Sequence, residues 1–133
     1  MIPNLQNVDH IHLNVSDRSK SEEWYRLVLG FQRVETLEFW AVSGGPLTLE
    51  SANKNIHLAL FENAEIQDTT IAFKVGASEL DEWIIHLAEN DIHCKPVDHA
   101  VSWSIYFKDP DGNPFEITTY EYDVFIKNSK TSS

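Results

Sequence analysis

Cysteine is almost missing from this chain: Cys94 stands alone among 133 residues. An internal disulfide is therefore excluded, and stability must rest on a hydrophobic core. A reducing cytoplasm is the expected setting. Basic residues are also scarce, with ten Lys and Arg against 21 Asp and Glu for a net charge of -11. Sequence-independent nucleic-acid binding depends on Lys and Arg that neutralise phosphates, so it is excluded. Docking on anionic membranes is disfavoured for the same reason. No apolar run approaches the ~20 residues of a membrane span. The start, Met1-Ile2-Pro3-Asn4, lacks the basic and then apolar pattern of a signal peptide. No Ser-His-Asp order, Gly-rich phosphate loop or Cys-x-x-Cys pair is found.

What is present is an ordinary globular balance, 42% hydrophobic and 23% charged. Acidity runs through the whole chain rather than in a tail, and solvation is its plainest role; a cationic ligand is the alternative. Glu22, Glu23, Glu79, Asp81, Glu82 and Glu89 are expected on helix exteriors.

The chain reads twice. Residues 8–15 alternate polar and apolar, as a half-buried strand does. A helix is expected next, capped by Ser19 with Glu22, with an apolar stripe of Trp24, Leu27 and Val28, and ended by Gly30. Sixty residues on, 70–75 alternate in the same phase. Ser78 with Asp81 then opens a second helix, striped by Leu80, Trp83, Ile84 and Leu87. Strand-like runs follow each helix, near 33–42, 46–50 and 56–61, then near 94–98, 103–108 and 114–120. Gly44-Gly45-Pro46 and Asp109-Pro110-Asp111-Gly112 mark turns. The expected fold is α+β: tandem βαβββ modules, about 6–62 and 67–122, forming one curved, mostly antiparallel sheet around a cup, with both helices outside it. The two modules make a single domain over 6–122, followed by a tail at 123–133 that is frayed over 128–133.

Strand phase puts Ile11, Leu13 and Val15 toward the helix and His10, His12 and Asn14 on the other face. The same alternation sets His57, Tyr106 and Glu116 on the concave side. Imidazole, phenol and carboxylate together can hold a divalent metal or move protons. Singly, each also has an ordinary reading as a surface or packing residue. Phe39, Trp40, Phe61 and Trp103 are expected in the core, with a ligand-stacking surface as the alternative.

These residues resemble a known family. Asp9-His10-Ile11-His12-Leu13-Asn14-Val15-Ser16-Asp17, continuing to Trp24-Tyr25 and Leu29-Gly30-Phe31, carries the first part of the match. Asp98-His99 and then Tyr106 through Glu116 carry the second. Together they are similar to the vicinal oxygen chelate superfamily of glyoxalase, extradiol dioxygenase, fosfomycin-resistance and bleomycin-resistance proteins. The resemblance implies a cup holding a divalent metal (Fe, Mn, Ni, Zn or Mg), with His10 and Glu116 as ligands. Thr70 occupies the position where some members carry a second His, and a hydroxyl is a poor substitute for imidazole. His12 or His57 is the candidate for the missing nitrogen. His99 and Tyr106 resemble residues that hydrogen-bond the reacting oxygens, which makes them the candidate catalytic pair. The activity implied is a metal-dependent lyase or isomerase, thiol transferase or dioxygenase acting on a small molecule with vicinal oxygens. The alternatives are a metal-free protein that sequesters a bulky cationic drug, or a fold member without chemistry. Family members usually dimerise, and exposed strand edges favour pairing, so a homodimer is expected. Substrate choice is expected to lie in loops near 36–46, 62–68 and 97–103.

Overall fold

The alternating run after His10 is a strand, β1 (Ile11–Val15), with Leu13 and Val15 buried, His12 exposed ahead of them and Asn14 half-buried between them. The computed structural model describes residues 1–42, 44–65 and 67–131, without the side chains of 128–131. It divides into two compact units, 1–67 and 68–133.

In the first unit, α1 (Arg18–Trp24) is capped by Asp17, whose carboxylate accepts the Lys20 N–H at 3.1 Å, not by the expected Ser19 and Glu22. An aspartate just outside the first turn both fills an orphan donor and complements the positive end of the helix, whereas Ser19 already lies inside it. The helix then widens into a π-type turn over Tyr25–Leu29. That extra residue per turn rotates the stripe. Tyr25 becomes fully buried, while Leu27, expected to face inward, is 48% exposed. Gly30 ends the turn at φ 74°, as its position predicts.

The expected strand over 33–42 is corrected. Only β2 (Gln32–Arg33) is extended; a 3₁₀ turn at Glu35–Leu37 and α2 (Glu38–Val42) follow. Arg33 explains part of this, since its guanidinium holds Glu22 through two 2.7 Å contacts and reaches Glu38 at 3.4 Å. The Glu22 hydrogen bond, with Glu38 in support, holds that guanidinium firmly in its charged form. The strands β3 (Leu47–Glu50) and β4 (His57–Glu62) complete a sheet in the order β1-β4-β3-β2, parallel only between β1 and β4. Leu49, Leu58 and Leu60 fill its core beside Val15 and Tyr25.

The second unit repeats this plan, which is the repeat legible in the chain. The strand β5 (Ile71–Lys74) leads to α3 (Ala77–Glu89), and β6 (Val97–Asp98), β7 (Trp103–Lys108) and β8 (Pro114–Thr119) follow. The order is β5-β8-β7-β6, again with one parallel pair, β5 with β8. Ser78 and Asp81 do not cap α3. Gly76 stands at the cap and donates its N–H to Glu79 Oε1 at 2.9 Å, and the Ala77 N–H goes to Glu121 Oε1 at 2.8 Å. Leu80 and Leu87 are buried on its inner face, as expected.

A last helix, α4 (Tyr122–Thr131), stands where a tail is expected from the sequence. Phe125 is its anchor, 3% exposed and 5.3 Å from the Trp103 ring. The expected fraying falls on side chains, and at 132–133 on backbone, outside the described residues. No helix of the described residues is long and apolar enough to cross a membrane.

Candidate active site

In the first unit, β-strand alternation places His10 and His12 on one face, and their rings stack 4.9 Å apart. The Nε2 atoms meet at 2.9 Å, while His10 Nδ1 faces Asp9 Oδ2 at 2.8 Å. A carboxylate can only accept, so it fixes the proton on His10 Nδ1 and leaves the Nε2 lone pair outward. The proton between the two rings then belongs to His12 Nε2. A carboxylate-oriented imidazole that presents its Nε2 lone pair is the usual form of a histidine metal ligand, and here that lone pair accepts the His12 Nε2–H. An imidazole of this kind suits a divalent metal, which His10 would hold through Nε2.

His57 has a different partner. Its Nε2 lies 3.3 Å from Glu50 Oε2, set there by the antiparallel pairing of Glu50 with His57. No group of three or more His, Cys, Asp or Glu side chains stands at metal-holding spacing among the described residues. His10 and His12 would supply two nitrogens, one fewer than the three protein ligands usual at a catalytic metal.

His10 and His57 line one cavity of about 140 Å³ with Asp9, Thr48, Leu37 and Trp40. Its cover is the 35–42 segment, which is tied down by Arg18. That guanidinium donates to Gly45 O at 2.6 Å and Ala41 O at 3.3 Å. Gly45 must stay small, because a Cβ there would sit 2.7 Å from Trp40 O. A larger open groove, about 550 Å³, runs along α1, but its Arg33 is committed to Glu22 and Glu38.

In the second unit, Tyr106 and Glu116 are directly opposed across β7 and β8, and Ala72 flanks Glu116 on β5. His99 Nε2 lies 2.8 Å from Tyr106 OH, so the expected catalytic pair is in contact. The His99 loop is held by Asp98, which accepts the Ala100 N–H and the Tyr122 hydroxyl, each at 2.8 Å. That bond to Asp98 raises the Tyr122 phenol above its ordinary range. Ser104 Oγ donates to Glu116 Oε2 at 2.8 Å, a partner the sequence reading did not single out. Its position two residues before Tyr106 on the same strand face was the available signal. Thr70 lies exposed just ahead of β5. Burial pushes the Cys94 thiol up, and its Sγ donates to Tyr106 O at 3.2 Å. Such a thiol is a poor nucleophile.

Of the aromatics expected in the core, Phe39 and Trp40 are 61% and 43% exposed, because the helical 35–42 segment turns them outward. Trp103 packs between Tyr122 and Phe125, at 5.6 and 5.3 Å.

A pair of βαβββ units with His and Glu on their open sheet faces defines the class of protein. The model of the Glyoxalase/Bleomycin resistance protein/Dioxygenase superfamily matches residues 7–117, and the chain belongs to that family. It is 31% identical over 121 residues to a metallothiol transferase FosB of Staphylococcus epidermidis, covering 86% of this chain and 84% of that protein. Among solved structures it resembles a glyoxalase/dioxygenase from Nostoc punctiforme (28% identity, TM-score 0.70, covering 90% of this chain and 95% of that one). A lactoylglutathione lyase from Agrobacterium tumefaciens shares the fold at 21% identity and TM-score 0.70, covering 88% and 96%.

Proposed function

We propose that the chain is a divalent-metal-dependent enzyme that transfers a thiol to a small electrophile carrying adjacent oxygens. The observation that carries this is the Asp9-oriented His10, ligand-ready beside His12, in a chain related to metallothiol transferases. His10 and Glu116 are the assigned ligands, with His12 preferred over His57 because His57 Nε2 is turned to Glu50. Thr70 takes no part.

When bound, the metal supplies Lewis acidity toward the substrate's two oxygens. The chain's own residues do the rest. For an epoxide substrate, the incoming thiolate sulfur forms a C–S bond as the C–O bond breaks. The Tyr106 phenol donates its proton to the alkoxide so formed, and His99, 2.8 Å away, hands a proton on to Tyr106. The thiol comes from a co-substrate, since Cys94 is held protonated by burial. The protein works as a cytoplasmic homodimer, a reading supported by strand edges β2 and β6, each paired on one side only within its unit.

The test is metal analysis together with thiol consumption. Purified protein is expected to bind about one Mn²⁺, Zn²⁺ or Fe²⁺ per chain. It should consume glutathione or cysteine with fosfomycin or 3-phenylglycidol only when metal is present. Light scattering should read twice the chain mass. Absence of metal binding and of turnover, with tight binding of a cationic aromatic drug, would favour sequestration on the exposed Phe39 and Trp40 instead. Tyr106→Phe is expected to lower turnover on the order of 10²-fold while leaving metal content unchanged, as loss of a general acid does. An unchanged rate removes Tyr106 from the chemistry.

A further inference from the structure

The turn that carries His99 is strained and lightly held. It joins β6, two residues long, to β7, and the two strands pair through Val97 with Ser104 and Asp98 with Trp103. Ala100 in the turn has φ 71°, a left-handed conformation in which a Cβ crowds the backbone. Two hydrogen bonds close the turn: the His99 N–H to Ser102 O at 2.9 Å, and the Ala100 N–H to Asp98 Oδ1 at 2.8 Å. Asp98, His99 and Ala100 are all exposed, so water competes for these bonds. A non-glycine residue in such a conformation persists only where the surrounding structure holds it there.

Tyr122, at the start of α4, is placed to supply that hold. Its hydroxyl lies 2.8 Å from both Asp98 carboxylate oxygens, and its ring stacks on Trp103 at 5.6 Å and 16°. It therefore touches both members of the last cross-strand pair before the turn. The helix behind it is anchored by the buried Phe125, 5.3 Å from the same Trp103 ring. A hydrogen bond to an ionised carboxylate is stronger than one between neutral groups. It is of the same order as the strain of a left-handed alanine, so the Tyr122 bond decides whether the turn stays closed. What depends on the turn is His99, the residue after Asp98. Its Nε2 meets Tyr106 OH at 2.8 Å, with the rings edge-on and 6.1 Å apart. Tyr106 is fixed by β7, whereas His99 is aimed by the turn alone.

We propose that Tyr122 is a positioning residue: by holding Asp98 from α4, it keeps the strained turn closed and His99 Nε2 within reach of the Tyr106 hydroxyl. The proposal rests on the reading of His99 and Tyr106 as the proton-transfer pair. The contact between them can be observed without metal or substrate, so the two can fail separately.

The first measurement is the NOE between the His99 and Tyr106 ring protons in the metal-free full chain. Wild type is expected to show it. Tyr122→Phe keeps the ring on Trp103 and removes only the hydroxyl, and should lose about half of the NOE or more. Ala100→Gly makes the left-handed conformation unstrained. Alone it should leave the NOE unchanged, and combined with Tyr122→Phe it should restore it. Asp98→Asn keeps an oxygen for the Ala100 N–H but loses the charge, so it should weaken the NOE too, and it gives the reading if Tyr122→Phe fails to fold. The second measurement is turnover of the metal-loaded enzyme. Tyr122→Phe should lower kcat about fivefold with KM unchanged, the worth of one hydrogen bond. In a His99→Ala background it should cost nothing further. An undiminished NOE in Tyr122→Phe overturns the proposal. So does failure of Ala100→Gly to restore it, an unchanged kcat, or a kcat loss as large with His99→Ala as without. Wild type that shows no thiol transfer, while the NOE responds as expected, overturns the reading of the site and supports the hold of Tyr122 on the turn.

Discussion

His10→Ala is expected to remove the divalent metal and to lower metal-dependent thiol transfer by on the order of 10²–10³-fold, the loss typical when one preorganised electrostatic partner of the transition state is deleted. The size follows from the local chemistry. His10 Nε2 is the nitrogen whose lone pair is left outward, because Asp9 Oδ2 holds the Nδ1 proton at 2.8 Å. Alanine deletes that donor and also strands the His12 Nε2–H, which has its partner 2.9 Å away on His10. Glu116→Ala should act alike if Glu116 is the second ligand proposed above, because it removes the carboxylate that Ser104 Oγ orients at 2.8 Å. Ser104→Ala leaves Glu116 in place but frees its rotation, so metal affinity should fall about 10–100-fold with the ligand itself intact. His57→Ala should cost less than His10→Ala, because the Nε2 of His57 is engaged by Glu50. Metal content by elemental analysis and thiol consumption read these effects separately. Full metal retention in both His10→Ala and Glu116→Ala would sink the ligand assignment.

Strand phase was the most legible feature of the chain, because a sheet with one covered face imposes a period of two on the residues themselves. It put His10 beside His12 and placed Tyr106 and Glu116 on a shared face, and their contacts follow from that placement. The 35–42 segment was not legible. Leu37 and Phe39 alternate as a strand would, and the helix depends on Arg33 reaching Glu38 and Arg18 holding Gly45 O. Arg18 and Gly45 lie 27 residues apart, so no local pattern records that contact. The π-type turn hid in the same way, since its extra residue changes which of Tyr25 and Leu27 faces inward without altering the apolar content. Glu50 as the partner of His57 needed the register of β3 on β4.

Asp109→Ala should be the most destabilising single change in the second unit's site, by about 3 kcal/mol. The sequence shows Asp109-Pro110-Asp111-Gly112 as a tight turn, but the carboxylate does more than begin it. Asp109 is 5% exposed. Its Oδ1 accepts the N–H of Asp111 at 2.9 Å and of Asn113 at 2.8 Å, and its Oδ2 accepts Asn113 Nδ2 at 2.8 Å. Alanine supplies no acceptor for those donors, and Asn113 is itself 1% exposed, so water reaches them poorly. The turn also needs Gly112, at φ 89°, to bring its N–H to Asp109 O at 3.0 Å. For a chain of this size the loss corresponds to a fall in Tm of about 10 °C. Pro110→Ala, which relaxes only the unfolded chain's restriction, should cost no more than about 1 kcal/mol. The hairpin closed by this turn holds Tyr106 opposite Glu116. Below its lowered Tm, Asp109→Ala should therefore also bind metal more weakly, while Pro110→Ala should not. Differential scanning calorimetry checks the first effect and metal titration the second. A Tm within about 3 °C of wild type would mean that the buried carboxylate does not hold the turn.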